Sequence, residues 1–515
     1  MRTLTLFFLL TLSLCLNAQT FVKHFTVDGT STLAYALEVH DTAIFVAGII
    51  GDTAVPNGLK SFLLRLNAQG EIVHQTTLRP AGYMHYVATR ENSMITTHDG
   101  GLICVGYAQD TANEIFLSVT KYDTVGDISW YKIIDSGNLN FETFFGYKVI
   151  EDTMGNFFIT GGTHLFGFTR TFFAKVDAIG GLQFVKWYNT IPLFNEGNGI
   201  CFAANGNLLI SAYSQTNPVL PYWTSVQNTC FLEVDTAGNQ VALHCTTDSN
   251  TRVEYNITPT ADGNYLSSGA YYSYRHQGAG YAFKEAITKW TPSFSKVWEV
   301  REGSEIYVNG FTDFEQDANG NTYVCGQNAV DSGIYTGFNG ILSKIDNGGN
   351  LLWYHAFRLT GYDPGRHYLY DVDIEPNGNL IAVGYWEWPY TINIPFEAVQ
   401  VAWLIRTNSD GCMDDGSCGI EWLSTEQAGS GTVQPSIIIS PNPSADGIFS
   451  VHTFVDLPPC SFITVFDANG RQISRQPLMS SGTLLNLYHQ PSGIYFYRVS
   501  NGLEEIQSGK VLIQK

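Results

Sequence analysis

The sequence predicts an all-β protein, and three observations support this fold class. The chain of 515 residues contains 50 glycines but only 14% charged residues, a composition typical of turn-rich β structure. Hydrophobic residues make up 44% of the chain, enough to form a sizeable core. Short apolar runs are separated by Asn-Gly and Asp-Gly turns, which favour tight hairpins between antiparallel strands.

Two turn patterns recur along the chain. The first, a turn followed by an apolar strand and a small residue, occurs seven times and ends at Gly48, Gly106, Gly161, Ala212, Gly269, Gly326 and Gly384. The second, Asp or Asn followed three residues later by Gly, ends at Gly70, Gly126, Gly180, Gly238, Gly349 and Gly411. The fifth unit has lost this second glycine. Each unit is therefore expected to form four short antiparallel strands.

Seven such units predict a seven-bladed β-propeller over residues 19–418. A single four-stranded unit cannot bury both of its faces, whereas seven units arranged radially can. The last unit lacks a fourth strand, so we expect the N-terminal segment Phe21–Val27 to supply it and close the ring. The units resemble the repeats of bacterial secreted seven-bladed propellers from about Phe21 to Gly411, a resemblance that implies the fold and no particular activity.

The first 18 residues have the pattern of a signal peptide. Arg2 precedes the apolar run Leu4–Leu16, and Ala18 provides a small residue for cleavage. Cys15 raises the alternative of a lipoprotein, but Leu14 stands where a small residue would be needed. No later segment contains eighteen consecutive apolar residues, so no transmembrane segment is expected. The formal charge of −20 disfavours nucleic acid as a partner.

The C-terminal region has a separate β pattern. Residues 419–436 have the composition of a linker, and residues 437–515 have a short β pattern of their own, for which an ordinary Ig-like domain with a proline-rich entry is one interpretation. This segment closely resembles the type A C-terminal sorting domain of type IX secretion cargo, on the ordered set Pro441, Asn442, Pro443, Gly447, Asp467, Gly470, Gly493, Tyr495, Lys510 and Lys515. The resemblance implies a small Ig-like β-sandwich that is exported through the periplasm and recognised by an outer-membrane translocon. It also implies removal of the domain by a sorting protease. The product would be released or attached to the cell surface.

Two pairs of cysteines are disulfide candidates, since an exported protein can form them. Cys230 and Cys245 lie nearly symmetrically about a turn, and Cys412 and Cys418 close a short loop. No Cys-x-x-Cys spacing suggests zinc. Calcium binding by Asp410, Asp414 and Asp415 is an alternative, but their spacing departs from known calcium loops. We expect no metal and no cofactor.

The function is less well defined by the sequence. None of the common motifs for serine hydrolases, metalloproteases or phosphate binding is present. The connections between the second and third strands of each unit are long and in places aromatic, so a binding site is expected on that side. The candidate residues are Tyr271, Tyr272, Tyr274, Arg275, Trp386, Trp388 and Tyr390. Alternatively, these side chains only pack the loops onto the propeller.

Three functional classes remain open from the sequence. The first is a non-enzymatic module that binds glycan or protein through exposed aromatic side chains. The second is an extracellular polysaccharide hydrolase or lyase with its site on the long-loop face. The third is a structural or adhesive element for display. An enzyme should bring two or more carboxylates together at a central pocket, whereas a binder should present an aromatic platform without a paired acid and base.

Overall fold

The computed structural model confirms the all-β fold class. It describes residues 20–514 except 53, 56–57, 88–92, 136–142, 166–167, 189–193, 216–226, 247–251, 275–280, 303–309, 332–335, 359–365, 388–399, 415, 420–436, 441–443, 445–446, 454–461, 468–470, 479–482 and 501–504. Within these residues, the regular secondary structure consists of β-strands. The described residues divide into two compact units, one ending at residue 419 and one beginning at residue 437.

The first unit contains strands β1 to β29. Strands β1 to β10 are, in order, Phe21–Phe25, Thr32–His40, Ala43–Asp52, Gly58–Leu66, Ile72–Leu78, Tyr83–Val87, Met94–Thr96, Leu102–Asp110, Ile115–Tyr122 and Ile128–Ile134. Strands β11 to β20 are Thr143–Glu151, Phe157–Leu165, Phe168–Val176, Leu182–Trp187, Phe194–Phe202, Leu208–Gln215, Gln227–Val234, Gln240–Cys245, Arg252–Pro259 and Tyr265–Tyr274. Strands β21 to β29 are Tyr281–Trp290, Lys296–Glu302, Gly310–Gln316, Thr322–Asp331, Thr336–Ile345, Leu351–Phe357, Arg366–Ile374, Leu380–Glu387 and Gln400–Thr407.

These strands form small antiparallel sheets of consecutive strands. Four sheets contain four strands each: β2–β5, β11–β14, β15–β18 and β19–β22. In a further sheet, β6 and β7 both pair with β8, which continues to β9 and β10. The last sheet has eight strands, made of the antiparallel sets β23–β26 and β27–β29 with β1. A single parallel bridge between Phe338 and Arg366 joins these two sets.

The predicted Asp-x-x-Gly turns are present between the third and fourth strands of the sheets. In one of them, the Asp123 carboxylate accepts hydrogen bonds from the backbone N–H groups of Val125, Gly126 and Asp127, and Gly126 has a φ of 102°. In the fifth unit, which lacks the glycine, Phe294 occupies the left-handed conformation with a φ of 59°. Its ring stacks on Phe231 at 4.5 Å, a contact that offsets part of the backbone strain.

The N-terminal strand joins the last sheet, as the sequence predicts. Strand β1 pairs antiparallel with β29, with Phe21 opposite Arg406 and Phe25 opposite Ala402. Phe25 is 7% exposed and belongs to a core that also includes Val383 from β28 and Val46 from β3. The two ends of the first unit are therefore held together by strand pairing and by a shared hydrophobic core.

The first strands of the sheets contact one another in cyclic order. The sequence of contacts is β2, β7, β11, β15, β19, β23, β27 and back to β2, and we call these strands, together with β6, the inner strands. A β-bulge interrupts the pairing of six of them with the next strand, at Tyr35, Tyr147, Asn198, Tyr255, Thr312 and Tyr370. The recurring bulge gives these inner strands the same local change of direction.

The second unit contains two sheets. Strands β30 to β36 are Ile437–Ser440, Ile448–Thr453, Phe462–Phe466, Gln472–Pro477, Thr483–Asn486, Gly493–Ser500 and Glu505–Ile513. Their sheet orders are β30–β31–β34 and β33–β32–β35–β36. Both sheets contribute to one hydrophobic core, in which Phe449 and Leu485 of the first sheet cluster with Val465 and Val499 of the second.

Candidate functional site

A cluster of tyrosines lies where the inner strands of the first and last sheets meet. The ring centroids of Tyr35 and Tyr370, both at bulges, are 4.9 Å apart. Tyr385 of β28 lies 5.8 Å from Tyr35 and 5.5 Å from Tyr370, and Tyr368 lies 5.1 Å from Tyr385. The bulges turn Tyr35 and Tyr370 toward each other although 335 positions separate them in the sequence.

The aromatic surface continues onto the second and third sheets. Tyr86 of β6 stacks on Tyr107 of β8 with a centroid distance of 4.3 Å, and Phe145 of β11 meets Tyr107 edge-on at 4.9 Å. Burial, then Tyr385, and to a smaller extent Tyr107 raise the pKa of the Tyr35 hydroxyl. We refer to Tyr35, Tyr86, Tyr107, Tyr368, Tyr370 and Tyr385 as the tyrosine cluster.

The tyrosine cluster offers both ring faces and hydrogen-bonding groups. Tyr35 and Tyr370 are half-buried, and burial raises the pKa of both hydroxyls, which keeps them protonated as donors. Beside them, Glu387 accepts a hydrogen bond from the Tyr368 hydroxyl at 3.5 Å and forms an ion pair with Arg366 at 3.3 Å. Such a combination suits a ligand that has flat apolar faces and many hydroxyl groups.

A second feature, an acidic pocket, lies toward the other end of the same inner strands. It has a volume of about 240 Å³ and is lined by Leu37, Glu38, Val39, His40, Thr96, Glu315, Asp371, Val372 and Asp373. Glu38 follows Tyr35 by three residues on β2, and Asp373 follows Tyr370 by three on β27, a distance of about 10 Å along a strand. The pocket thus lies at the end of the strands that leads into the tight turns.

Several carboxylates of this region connect one inner strand to the next. Asp371 accepts a hydrogen bond from the backbone N–H of Leu37 at 2.9 Å, and Asp373 accepts one from Val39 at 2.7 Å. In the same way, Asp313 accepts a hydrogen bond from the backbone N–H of Val372 at 3.2 Å. These bonds tie the sixth, seventh and first inner strands together.

Burial, and after it the crowding of these carboxyl groups, raises their pKa values. Burial, followed by the negative charge of Asp373, raises the pKa of Glu38 to about 8, and burial raises the pKa of Asp373 to about 6. Burial and the neighbouring carboxylate of Asp313 raise the pKa of Asp371 well above its usual range. Glu315 also lines the pocket. Loss of contact with water, followed by the charges of the nearby acids, raises its pKa. The pocket therefore holds protonated as well as ionised carboxyl groups near neutral pH.

Of the candidate binding residues that the sequence suggests, the structure describes the side chain of one, Trp386. Trp386 is 8% exposed and stacks on His367 at 6.4 Å, so its ring packs within the seventh sheet and is not an exposed platform. Its role in ligand binding stays a prediction. Tyr271, Tyr272 and Tyr274 lie in β20, but their side chains are outside the described part of the chain. Arg275, Trp388 and Tyr390 also lie outside it.

The tyrosine cluster was not selected from the sequence, although a pattern pointed to it. Alignment of the repeats places a tyrosine at the bulge of four units, at positions 35, 147, 255 and 370. Tyr107 and Tyr385 each follow the glycine that ends the first repeat pattern, at Gly106 and Gly384. A search for tyrosine at equivalent repeat positions would have found these residues.

Both predicted disulfides are present. Cys230 is paired with Cys245 across β17 and β18, and Cys412 is joined to Cys418. In the second loop, Asp414 accepts a hydrogen bond from the backbone N–H of Thr20 at 3.0 Å and returns one from its own N–H to the Thr20 hydroxyl. Asp414 therefore ties this loop to the N-terminal strand, a structural role that differs from the calcium alternative. Asp415 is not among the described residues.

The residues that carry the resemblance in the second unit occupy turns and strand positions. Gly447 has a φ of 78° and packs against the backbone of Leu487, where a Cβ atom would lie 2.7 Å from a carbonyl oxygen. Asp467 accepts a hydrogen bond from the backbone N–H of Arg471 at 2.9 Å. Tyr495 is 5% exposed and donates to the carbonyl of Pro491 at 2.8 Å. Gly493 and Lys510 lie in β35 and β36, while Pro441, Asn442, Pro443, Gly470 and Lys515 fall outside the residues that the structure describes.

These features define an all-β protein with a separate C-terminal domain. Residues 439–514 match the family described as Secretion system C-terminal sorting domain. The chain is a cargo of the type IX secretion system, and it is exported to the cell surface or secreted. Among the described residues, no helix is long and apolar enough to cross a membrane.

Several solved structures are similar to the chain at low identity. Puromycin hydrolase is 13% identical with a TM-score of 0.45, and the match covers 81% of this chain and 58% of that one. An ulvan lyase of polysaccharide lyase family PL25 is 11% identical with a TM-score of 0.47, covering 75% and 96%. The β-propeller domain of the trilobed protease from Pyrococcus furiosus is 10% identical with a TM-score of 0.40, covering 74% and 96%. No curated protein matches the chain.

Proposed function

We propose that the first unit is a seven-bladed β-propeller that binds a glycan through the tyrosine cluster without chemical turnover. In this account, residues 1–18 are a signal peptide, residues 19–418 form the propeller, residues 419–436 are a linker, and residues 437–515 form an Ig-like sorting domain. The cyclic contacts among the inner strands, closed by the pairing of β1 with β29, support the propeller.

The observation that carries the binding function is the convergence of tyrosine rings and hydroxyls from separate sheets. Glycans have apolar ring faces that stack on aromatic side chains and hydroxyl groups that exchange hydrogen bonds. Tyr35 and Tyr370 supply rings and protonated hydroxyls, and the ion pair of Arg366 with Glu387 supplies charged donors and acceptors next to them. A protein ligand is the other class that such a surface could bind.

The sorting domain delivers this module. As cargo, the chain is handled by the type IX translocon, and we propose that a sorting protease cleaves within the linker. Cleavage would separate the two units and leave the propeller released or attached at the cell surface. Proteases act most readily on exposed segments between compact units, which is the expected position of the linker.

A second candidate function is hydrolysis or elimination on an extracellular polysaccharide. The acidic pocket supports it, since Glu38 and Asp373 have raised pKa values that differ from each other, as an acid and a base require. However, the acidic pocket lies at the end of the inner strands that leads into the tight turns. The sequence predicts an enzyme site on the opposite side, where the long loops lie. Asp371 and Asp373 also hold neighbouring strands by hydrogen bonds, a role that accounts for them without catalysis.

A glycan array probed with the mature full-length chain, combined with a polysaccharide cleavage assay, separates these functions. We expect binding to a defined group of glycans, and no release of reducing ends or unsaturated sugars from the same polysaccharides. If either product is released by the wild type but not by the Glu38→Gln or Asp373→Asn variant, the protein is an enzyme and the binding proposal is wrong. Absence of both binding and cleavage over a broad array would contradict the glycan proposal.

A further inference from the structure

The carboxylate of Glu387 is held in a fixed position beside the tyrosine cluster. Glu387 is the last residue of β28, and strand register places it between Arg366 of β27 and Gln400 of β29. One of its oxygens accepts hydrogen bonds from Arg366 at 3.3 Å and from the Tyr368 hydroxyl at 3.5 Å, and the other accepts one from the Gln400 amide at 3.0 Å. Three partners thus fix the orientation of a carboxylate whose side chain is 18% exposed.

The negative charge of Glu387 acts on several hydroxyls of the tyrosine cluster. Burial has the largest effect on the pKa of Tyr35, Tyr368 and Tyr385, and the charge of Glu387 raises the pKa of each of them further. The positive charge of Arg366 lowers the pKa of Tyr368 and of Tyr385 in turn. These two charged groups form one ion pair, so the cation beside the hydroxyls already has its counter-ion.

Arg366 is therefore poorly placed to bind an acidic sugar. A sugar carboxylate or sulfate is bound most strongly by an arginine whose planar N–H groups are free to donate. The Arg366 guanidinium instead donates to Glu387, and its central carbon lies 5.9 Å from the centre of the Phe338 ring. An anionic group that approached Arg366 would also come close to the Glu387 carboxylate, and like charges at short range repel each other.

An uncharged sugar does not meet this repulsion. A carboxylate has about four lone-pair sites, and the hydrogen bonds from Arg366, Tyr368 and Gln400 occupy three of those on Glu387. The remaining site can accept a hydrogen bond from a sugar hydroxyl, while the protonated tyrosine hydroxyls donate to sugar oxygens. An ionised carboxyl group has no proton to donate, so it cannot form this hydrogen bond with Glu387.

The overall charge of the chain acts in the same direction. Residues 437–515 contain five Lys or Arg and five Asp or Glu, so the whole formal charge of −20 belongs to residues 1–436. Such an excess of negative charge repels a polyanion before contact and lowers its rate of association. Salt screens this long-range repulsion strongly, whereas it screens the repulsion between Glu387 and a bound anionic group much less. The two effects can therefore be separated by measurement at high salt.

We propose that the tyrosine cluster selects uncharged glycans, and that Glu387 determines this specificity by excluding uronic acids and sulfated sugars. The inference rests on the proposed function, whose class of ligand it narrows. Glu387 excludes acidic sugars in two ways, because it occupies the guanidinium of Arg366 and because it places a fixed negative charge beside that guanidinium. An acidic polysaccharide is the opposite class of ligand, which the experiment must exclude.

Binding of matched oligosaccharides to the mature full-length chain tests this specificity. The probes are a set of neutral oligosaccharides and the same oligosaccharides oxidised at C6 to uronates, so each pair differs in its carboxyl groups. We expect the wild type to bind the neutral member of a pair at least about tenfold more tightly, at about 1 M salt as well as at low salt. Glu387→Gln keeps the size of the side chain and releases Arg366, so it should reduce this ratio of affinities by about tenfold. Glu114→Gln removes one charge at an exposed position and should keep the wild-type ratio.

A second substitution tests the same ion pair and keeps the experiment decisive if Glu387→Gln does not fold. Arg366→Gln leaves the carboxylate without its cation, so the preference for the neutral probe should increase, and an unchanged or smaller ratio would overturn the inference. Unchanged melting temperatures exclude misfolding as the cause of either effect. Preference of the wild type for uronates, or an equal ratio in the wild type and Glu387→Gln, would overturn this inference and leave the proposed function in place. Binding of no probe in either set would overturn the proposed function itself, and this inference with it.

Discussion

At the scale of single residues, Asp313, Asp371 and Asp373 link neighbouring inner strands, since each accepts a backbone hydrogen bond from the next strand. Glu38 lies among them and receives a hydrogen bond from the Thr96 hydroxyl at 2.9 Å. This concentration of carboxyl groups has a cost when they ionise, because burial and mutual repulsion oppose their negative charges.

Glu38→Gln should make the protein less sensitive to alkaline pH. The pKa of Glu38 is raised from 4.5 to about 8, so the folded protein binds a proton that the unfolded chain has lost, and its stability falls as pH rises across that interval. Glutamine carries no charge and can still accept the Thr96 hydrogen bond. Thermal melting between about pH 4 and pH 9 should show a smaller decline for this variant than for the wild type. Glu114→Gln, at an exposed position, is the control and should follow the wild type; equal slopes for all three proteins would contradict the assignment.

At the scale of elements, the N-terminal strand and the disulfides hold the first unit together. Strand β1 completes the last sheet, and Phe21 lies under the Arg406 guanidinium at 5.2 Å. Arg406 is itself 2% exposed and paired with Glu375. The pairing therefore brings a strand from one end of the unit to a buried ion pair at the other end.

Removal of residues 20–25 should destabilise the entire first unit. The deletion exposes an edge of β29 and removes the Phe25 ring from a core that it shares with the first sheet. Loss of one large buried aromatic costs about 3–5 kcal/mol, which corresponds to a lower melting temperature by roughly 5–10 °C or more. Lys23→Ala in the intact strand is the control and should melt within about 2 °C of the wild type. If the truncated protein melts at the wild-type temperature, the pairing of β1 with β29 does not stabilise the first unit.

Replacement of Cys230 and Cys245 by serine should also lower stability. The bond spans 15 residues between two paired strands, and closure of such a loop contributes about 3 kcal/mol. The double variant should melt at a lower temperature than the wild type under oxidising conditions, and addition of a reductant should remove most of that difference. A difference that persists unchanged in reductant would show that packing of the sulfur atoms, and not the covalent link, is responsible.

At the scale of the whole molecule, the repeated sheets and the C-terminal domain could be predicted because the turns and motifs that specify them are local in the sequence. The Asp-x-x-Gly turn that begins at Asp123 is formed by hydrogen bonds within five residues, so its sequence was sufficient. Residues 439–514 match a sorting domain, as the ordered set of motifs from Pro441 to Lys515 predicts. The candidate site depends instead on contacts such as that of Tyr35 with Tyr370, which exist only after the first and last sheets meet. The burial of Trp386 could not be predicted for the same reason, because it depends on His367 in the neighbouring strand.

Calorimetric titration of an array-selected oligosaccharide into the mature chain tests the central claim most directly. We compare the wild type with Tyr370→Ala and with Tyr131→Ala, a control whose ring is 43% exposed on the outer strand β10. The account predicts at least about a tenfold loss of affinity, or about 1.4 kcal/mol, for Tyr370→Ala and unchanged affinity for Tyr131→Ala. Equal affinity of all three proteins for the oligosaccharide would show that the tyrosine cluster is not the binding site.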